Sequence, residues 1–482
     1  YERNGDGECE LTDTSWTIGE VESCEDPLNS THYVDTSETL WDTTIRGHVE
    51  LGAAGIVEAD GRTLILATDS QGLAWWTLNG EENGERGRDT ELERDGKFLA
   101  DDLDGDGVTD LVVFHTLVEV GWSFGTHDET WTTVLEPSDS CFQAELTTLD
   151  ADGDGDPDLL LPKGVDCTDM EYRPMVLVNE GDRTWSEPVE IDGDPGHWGD
   201  TFDLTVFDFD GDGSPDTYVC NDNGPIIAPN TVYLNDGNGA LYVGDALGAD
   251  VTSYCMGSSV GDLDGDLDLD LYVAGSNNEF ALIQGIAGFS DGAASYGWEA
   301  TSFPEMPWGS AIVDVNNDGY EDLLTTTSDF SFMSDHESYP IRLRMRDAGG
   351  DWKEKGEQFD IPQQTSSRGL VVRDLNDDGI VDLLAADFER NPWLLLSDGC
   401  TEENWVEVTA PPGTVVRIET ENQSWIAPAL HHGGYGATHP PTAHLGLGGV
   451  DTIDRIVLEV PWVGEVVLDG PIEARRRLAW SP

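Results

Sequence analysis

A nine-residue pattern, D-x-[DN]-x-D-x-x-x-D, recurs six times, and it restricts the fold more than any other feature of the chain. The copies run from Asp102 to Asp110, Asp150 to Asp158, Asp208 to Asp216, Asp262 to Asp270, Asp314 to Asp322 and Asp374 to Asp382. Short apolar runs flank them, such as FLA and LVVF around the first or LTVF and TYV around the third. Runs of that length bounded by turn residues read as buried strands. Each copy is therefore expected to be the tip of a β-hairpin. Successive copies start 48, 58, 54, 52 and 60 residues apart, which leaves room for four strands each time. Self-similarity at such a period signals an array or a propeller.

A second element recurs with the first: an apolar strand ending in a polar Gly turn, as in LAWWTLNG (73–80), MVLVNEG (175–181), TVYLNDGNG (231–239) and PWLLLSDG (392–399). One degenerate unit precedes the intact ones. In GIVEADGRTLILATD (55–69), Glu58 and Asp60 hold the first and third positions, but Arg62 stands at the fifth, where its cation would replace a metal. Seven units of four strands predict an all-β, seven-bladed propeller over 46–403. An open solenoid is the alternative, and it would leave strand edges exposed.

The spacing of the acidic residues carries the chemistry. Carboxylates or amides at positions 1, 3 and 5 place oxygens on one side of a tight loop, a backbone carbonyl follows at 7, and a carboxylate at 9 closes the shell. The sets are Asp102, Asp104, Asp106, Val108 and Asp110; Asp150, Asp152, Asp154, Asp156 and Asp158; Asp208, Asp210, Asp212, Ser214 and Asp216; Asp262, Asp264, Asp266, Asp268 and Asp270; Asp314, Asn316, Asp318, Tyr320 and Asp322; and Asp374, Asn376, Asp378, Ile380 and Asp382. An all-oxygen shell from a flexible loop suits Ca²⁺, so about six structural ions are expected. An EF-hand fails, because position 12 is Val113, Leu161, Val219, Val273, Thr325 or Ala385 rather than Glu, and strands rather than helices flank the loops.

The loops DLDGDGVTDL, DADGDGDPDL and DFDGDGSPD resemble the FG-GAP/VCBS repeats of integrin α-subunit propellers. From Asn404 onward, NWVEV (404–408), GTVVRIET (413–420), GGY (433–435), HLGLG (444–448) and DRIVLEVPW (454–462) resemble the ASPIC/UnbV domain. The order of the two is similar to that of bacterial members of the cartilage acidic protein family. The resemblance departs at two places. Loop four has Leu267 where the family has Gly, at a position that needs positive φ. A P-W-V-G turn (461–464) replaces the family's P-S-G. Independently, 404–482 alternates strand runs with Pro/Gly turns and is expected to form a small β-sandwich. Residues 1–45 are expected to be a Cys-containing cap or to give an outer strand that closes the ring.

The chain carries 97 acidic and 23 basic side chains, a net charge of −74. Six dications offset only a small part of it. That surface argues against nucleic acid and anionic membranes as partners, and no stretch is apolar enough for a transmembrane helix. The absence of an initiator Met and of an apolar leader suggests a mature form after signal removal, or a trimmed chain, and millimolar extracellular Ca²⁺ matches loops of this type. The seven cysteines agree with that compartment. Cys141 with Cys167, Cys220 with Cys255, and Cys9 with Cys24 are the candidate disulfides, leaving Cys400 free or available to another chain.

If the loops share one face, the strand ends on the opposite face are candidates for a partner surface. These are Phe202, Met256, Trp308 and Arg368, with neighbours His197, Trp198 and Tyr254; Gly257, Gly309 and Gly369 follow three of them, as close approach at a channel would require. His431, His432, His439 and His444 fall close together but match no standard zinc spacing. Arg475, Arg476 and Arg477 form the one dense basic cluster, read as a strand end pairing with acidic neighbours or as a docking contact. The expected function is a secreted Ca²⁺-binding adhesion or binding module for an extracellular protein or glycan. The alternatives are a structural subunit that oligomerises through Cys400 or the C-terminal domain, and, third, a propeller enzyme. No G-x-S-x-G, H-E-x-x-H or phosphate-binding Gly loop supports the third.

Overall fold

The computed structural model describes residues 2–3, 9–10, 15–20, 33–35, 53–59, 62–69, 72–77, 86–89, 97–104, 109–114, 118–123, 133–135, 145–164, 173–181, 184–193, 195–244, 247–276, 278–298, 303–329, 337–387, 392–397 and 403–481. Strands dominate, and two short 3₁₀ turns (Pro195–His197 and Gly356–Phe359) are the helices among the described residues.

The apolar runs around each acidic loop form the first two strands of an antiparallel sheet, as their spacing predicts. Lys97–Asp101, Asp110–Phe114, Val118–Ser123 and Thr133–Leu135 make one such sheet in chain order. The same order holds for Thr147–Leu149, Asp158–Leu161, Met175–Leu177 and Val189–Glu190, and for Asp200–Phe207, Asp216–Asp222, Thr231–Asn235 and Leu241–Val243. It holds again for Tyr254–Gly261, Asp270–Ser276, Phe280–Ile283 and Ser290–Asp291, and for Met306–Val313, Asp322–Ser328, Arg342–Arg346 and Trp352–Glu354. Ser367–Arg373, Asp382–Asp387 and Trp393–Ser397 take their fourth strand from the N-terminal region, Tyr33–Asp35, and the Tyr33 hydroxyl donates to the Val381 carbonyl at 2.9 Å. The degenerate unit gives Ala54–Ala59, Arg62–Asp69, Gly72–Thr77 and Arg86–Asp89, hydrogen-bonded in that order.

These sheets are arranged radially. Thr147–Leu149 contacts Asp200–Phe207, which contacts Tyr254–Gly261; that strand touches Met306–Val313, which touches Ser367–Arg373. Ser367–Arg373 then meets Ala54–Ala59, and Ala54–Ala59 meets Lys97–Asp101. The Thr148 hydroxyl donates to Asp101 Oδ2 at 2.5 Å and completes the circuit. The molecule is a β-propeller, and the ring is closed. Its cohesion lies between neighbouring sheets, where apolar faces pack together. Tyr218, Cys220 and Val232 pack with Val260, Leu271 and Val273 at one such junction. The same junction carries the Cys220–Cys255 disulfide, with Cα atoms 5.4 Å apart, as its sequence position suggested. Cys141, Cys167, Cys24, Cys400 and the side chain of Cys9 lie outside the described residues.

The C-terminal strands form two further layers over one apolar core. Ser424–Pro428, Val415–Glu419, Thr452–Val460 and Gly464–Glu473 make the first. The second comprises Ser15–Glu20, Arg476–Ser481, Asn404–Thr409 and Ala437–Gly448. Val406, Val408, Leu445 and Leu478 of one layer meet Val416, Ile418, Ile456 and Leu458 of the other. Residues 1–45 thus lend one strand to this unit and one to the ring. Ala437–Gly448 belongs to both halves of the molecule. Its far end pairs with Asn404–Thr409, while Ala437 and Thr438 pair in parallel with Ala54 and Gly55 of the ring.

Candidate metal centres

Every described acidic loop joins the first and second strands of its sheet, so the ladder closes against position 9. Asp101 pairs with Asp110, Leu149 with Asp158, Phe207 with Asp216, Gly261 with Asp270, Val313 with Asp322 and Arg373 with Asp382. The loops therefore lie together on one face of the ring. The closing aspartates of loops two to six are each fixed twice over. Oδ2 of Asp158 accepts from the Ala151 amide at 2.7 Å and Oδ1 from Asn179 at 2.7 Å. Asp216 takes Phe209 and Asn235, Asp270 takes Leu263 and Gln284, and Asp382 takes Leu375 and Ser397 in the same way. One donor comes from the loop and one from the end of the third strand, which explains the second recurring sequence element.

Position 1 plays the complementary part. In loop three, Asp208 Oδ1 accepts from Gly211 and Asp212 and Oδ2 from Gly213, at 2.8, 3.1 and 2.8 Å. Position 6 must adopt positive φ for that last bond. Gly155, Gly213, Gly319 and Gly379 do so at 95°, 92°, 91° and 87°, and Leu267 does so at 73°. Leu267 still donates its amide to Asp262 Oδ2 at 3.1 Å. The leucine keeps the loop's geometry, at a cost of about 1–2 kcal/mol to a residue with a Cβ.

Oxygens of Asp102, Asp104 and Asp110 lie within 4.8 Å of one another, as do those of Asp150, Asp152 and Asp158, of Asp208, Asp210 and Asp216, and of Asp262, Asp264 and Asp270. The converging carboxylates are those at positions 1, 3 and 9. Position 5, expected in the same group, is turned onto the amide of position 7: Asp154, Asp212, Asp266, Asp318 and Asp378 accept from Asp156, Ser214, Asp268, Tyr320 and Ile380 at 2.8–3.1 Å. Asp106 and Val108 of loop one lie outside the described residues. In loops five and six the third position is an amide, and Asn316 and Asn376 each donate Nδ2 to the position-5 carboxylate, Asp318 and Asp378.

The electrostatics of these loops are those of a carboxylate trap. Burial, together with the repulsion of neighbouring loop aspartates, pushes the Asp158 and Asp270 carboxyls up to about 8 and those of Asp150 and Asp216 up to about 7. Asp314 rises to about 8 for the same two reasons. Amides hold these groups in place without neutralising them. Hard oxygen donors, fixed and close-set with an excess of negative charge, fit Ca²⁺ and fit softer metals poorly. Asp102, Asp104 and Asp110 and their three counterparts would hold the ion, which would supply the missing positive charge.

The residues of the opposite face are brought together, but against the chain itself. Strand register shifts between Thr201 and Asp203, Cys255 and Gly257, Pro307 and Ser310, and Ser367 and Leu370. These irregularities turn Phe202, Met256, Trp308 and Arg368 toward the channel. Met256, Trp308 and Arg368 are buried, and Tyr435 packs on Phe202 and Trp308 with ring centroids 5.6 and 5.0 Å away. The Arg368 guanidinium lies 4.2 Å from the Trp308 ring centre. Trp198 is also buried, while His197 and Tyr254 are half-buried. The glycines serve the close approach they suggested: a Cβ on Gly309 would sit 2.5 Å from the Arg368 carbonyl, and one on Gly369 would sit 2.7 Å from that of Tyr435.

The three described histidine side chains of the cluster take separate partners. His431 Nε2 lies 3.1 Å from the Thr147 hydroxyl, His439 Nδ1 lies 2.9 Å from the Pro440 carbonyl, and His444 Nε2 donates to Asn317 Oδ1 at 2.8 Å. The His432 side chain lies outside the description, and among the described residues no metal-holding group includes a histidine. Of the arginine cluster, Arg477 reaches Asp374 of loop six at 2.7 Å, Arg476 pairs with Glu473 at 2.7 Å, and Arg475 donates to Asn404 at 2.9 Å.

The FG-GAP-like repeat family matches residues 150–219, 208–273 and 314–385. The protein is thus a β-propeller carrying FG-GAP-like repeats. Among solved structures, it is similar to an Agrocybe aegerita lectin that recognises non-reducing terminal N-acetylglucosamine, at 15% identity over 77% of this chain and 95% of that one, with a TM-score of 0.44. It is also similar to YCF48 bound to D1 peptide (10% identity, 78% and 97% covered, TM-score 0.44) and to Saccharomyces cerevisiae Sqt1 (11%, 77% and 99%, TM-score 0.42). No curated protein matches the sequence. Among the described residues no helix is long and apolar enough to cross a membrane.

Proposed function

We propose that this protein is a secreted, Ca²⁺-dependent binding module: a seven-bladed propeller over 46–403, stabilised by about six structural ions, with an ASPIC/UnbV-type β-sandwich over 404–482. The convergence of the position 1, 3 and 9 carboxylates on four hairpin tips of one face carries this reading. Seven sets of four strands support the blade count, and the two C-terminal layers over a shared core support the sandwich. The Cys220–Cys255 disulfide favours an oxidising compartment, where Ca²⁺ is also abundant.

An extracellular protein or glycan is the partner this reading assigns, held on the face away from the acidic loops. His197, Tyr254 and Phe202 are partly accessible there, and Ile226 and Ile227, beyond the end of Asp216–Asp222, are exposed at 74% and 42%. Titration of the chelated protein with Ca²⁺ in a calorimeter, followed by thermal denaturation with and without EGTA, tests the calcium reading. Binding of several ions with a large rise in Tm is expected, because a ligand held only by the folded state stabilises it by mass action. An identical melting curve in excess chelator sinks it.

A further inference from the structure

The face that bears the acidic loops is covered by the protein's own C-terminal strands. Trp462 is wedged between loops two and three: its amide donates to the Gly213 carbonyl and its Nε1 to the Asp150 carbonyl, each at 2.9 Å. Its ring lies so close over Gly153 and Gly237 that a Cβ on either would stand 3.1 Å from it. At loop five, Gly448 donates to the Asn317 carbonyl at 2.9 Å, and a Cβ on Gly446 would fall 1.9 Å from Asp314 Oδ2. Arg477 holds loop six, where the Trp405 indole packs on Gly379.

From this seat a hairpin, Leu430–His432 returning through Ala437–Gly448, runs down the channel of the ring. The Leu370 amide donates to the Gly433 carbonyl at 3.1 Å, and the Ala54 amide donates to Gly436 at 3.0 Å. Gly436 donates its own amide to Glu145 Oε2 at 3.0 Å. At the tip, Tyr435 reaches Phe202 and Trp308 on the far side.

We infer that ion binding by the loops and seating of this hairpin in the channel are one linked equilibrium, with residues 404–481 as the resident occupant of the loop face. The inference rests on the calcium reading. The seat consists of loop backbone and position-1 carboxylates, the groups whose arrangement an ion would fix. Removing the charge that holds the carboxylates together loosens Asp150, Gly213, Asn317 and Asp374 at once, and with them every contact that aligns the hairpin. Coupling of this kind is reciprocal, so loosening the seat must weaken the ions.

The test uses the whole chain. Calorimetric Ca²⁺ titration is paired with hydrogen exchange of peptides covering 430–448, in millimolar Ca²⁺ and in EGTA, with Tyr254–Gly261 as the reference strand. Exchange of the hairpin is expected to rise at least tenfold more than that of the reference on chelation. Trp462→Ala should weaken Ca²⁺ binding about fivefold or more. Trp462→Phe, which keeps an aromatic ring but loses the bond to Asp150 and part of the indole's packing over Gly153 and Gly237, should fall between it and the parent protein. No Ca²⁺ binding by the parent protein means the calcium reading itself has failed. Ca²⁺ binding with hairpin exchange unchanged, or raised only in step with the reference strand, overturns the linkage while that reading stands. Unaltered affinity in both Trp462 variants overturns it as well.

Discussion

Arg477, on the last strand, places Nη2 2.7 Å from Oδ2 of Asp374, the first residue of the sixth acidic loop more than a hundred positions earlier in the chain. Asp374 is buried, which pushes its carboxyl up, and the guanidinium offsets part of that rise. The same side chain donates to Asp377 and lies 3.5 Å from Glu407, itself buried in the C-terminal sheet. One cation thus serves carboxylates of both halves of the molecule. Arg477→Gln should lower stability by about 3 kcal/mol, because removing one partner strands a buried charge. Arg477→Lys should recover only part of it, since an ammonium cannot fork between carboxylates. Urea denaturation at fixed Ca²⁺ measures both.

Position 9 should matter more than position 5. Asp216→Ala removes a converging carboxylate and deprives the Phe209 and Asn235 amides of their acceptor. A loss of about 3 kcal/mol is expected, with fewer bound ions. Asp212 accepts one amide bond at the loop surface, from Ser214 at 2.8 Å, and Asp212→Ala should cost about 1 kcal/mol. Equal losses would show that the two positions share one role.

His444 gives the fold a specific acid sensitivity. Its ring stacks on Trp405, its Nε2–H is committed to Asn317, and buried Nδ1 has no hydrogen-bond partner. Burial therefore holds the imidazole neutral, with its pKa pushed down to about 4. The unfolded chain takes up this proton near pH 6.5, so the stabilisation from a neutral imidazole is complete above that pH and is lost as pH falls toward 4. Its full size is about 3 kcal/mol. His444→Gln should narrow the stability gap to the parent protein by that amount between pH 7 and pH 4. A constant gap would falsify the assignment.

Leu267→Gly should be nearly neutral, within about 1 kcal/mol. Relief of a left-handed leucine, worth about 1–2 kcal/mol, is set against the packing its half-buried side chain contributes to the apolar cluster that includes Phe209, Phe289 and Leu269. A cost of several kcal/mol would mean that the packing term dominates.

The disulfide between Cys220 and Cys255 spans 35 residues. The chain-entropy argument assigns such a loop about 4 kcal/mol. The double serine variant should fall in stability by about that much and still bind Ca²⁺, because both cysteines sit in the apolar junction between two sheets. Guanidinium unfolding with parallel Ca²⁺ titration reports both outcomes.

The local chemistry was legible in the sequence. Alternating carboxylates between short apolar runs can make little except an acidic hairpin tip, and repetition of the whole unit dictates a ring of such hairpins. Those features depend on neighbours within about ten residues, so the one-dimensional pattern carries them. The Cys220–Cys255 pairing and the close approach of Gly309 and Gly369 were readable for the same reason, once the repeat period set which strands lie side by side. What tertiary structure alone decided involves residues far apart in the chain. The one-residue bulges that turn Met256 and Trp308 inward leave no mark on composition. The turn of Asp212 and its counterparts onto position 7 depends on the folded loop, whose amides they accept from. Nothing in HHGGYGATHPP announces that it will fill the channel, or in P-W-V-G that its tryptophan will sit between two loops about 250 and 310 residues upstream. Those placements follow from shape and hydrogen bonding between surfaces that exist only after both halves have folded.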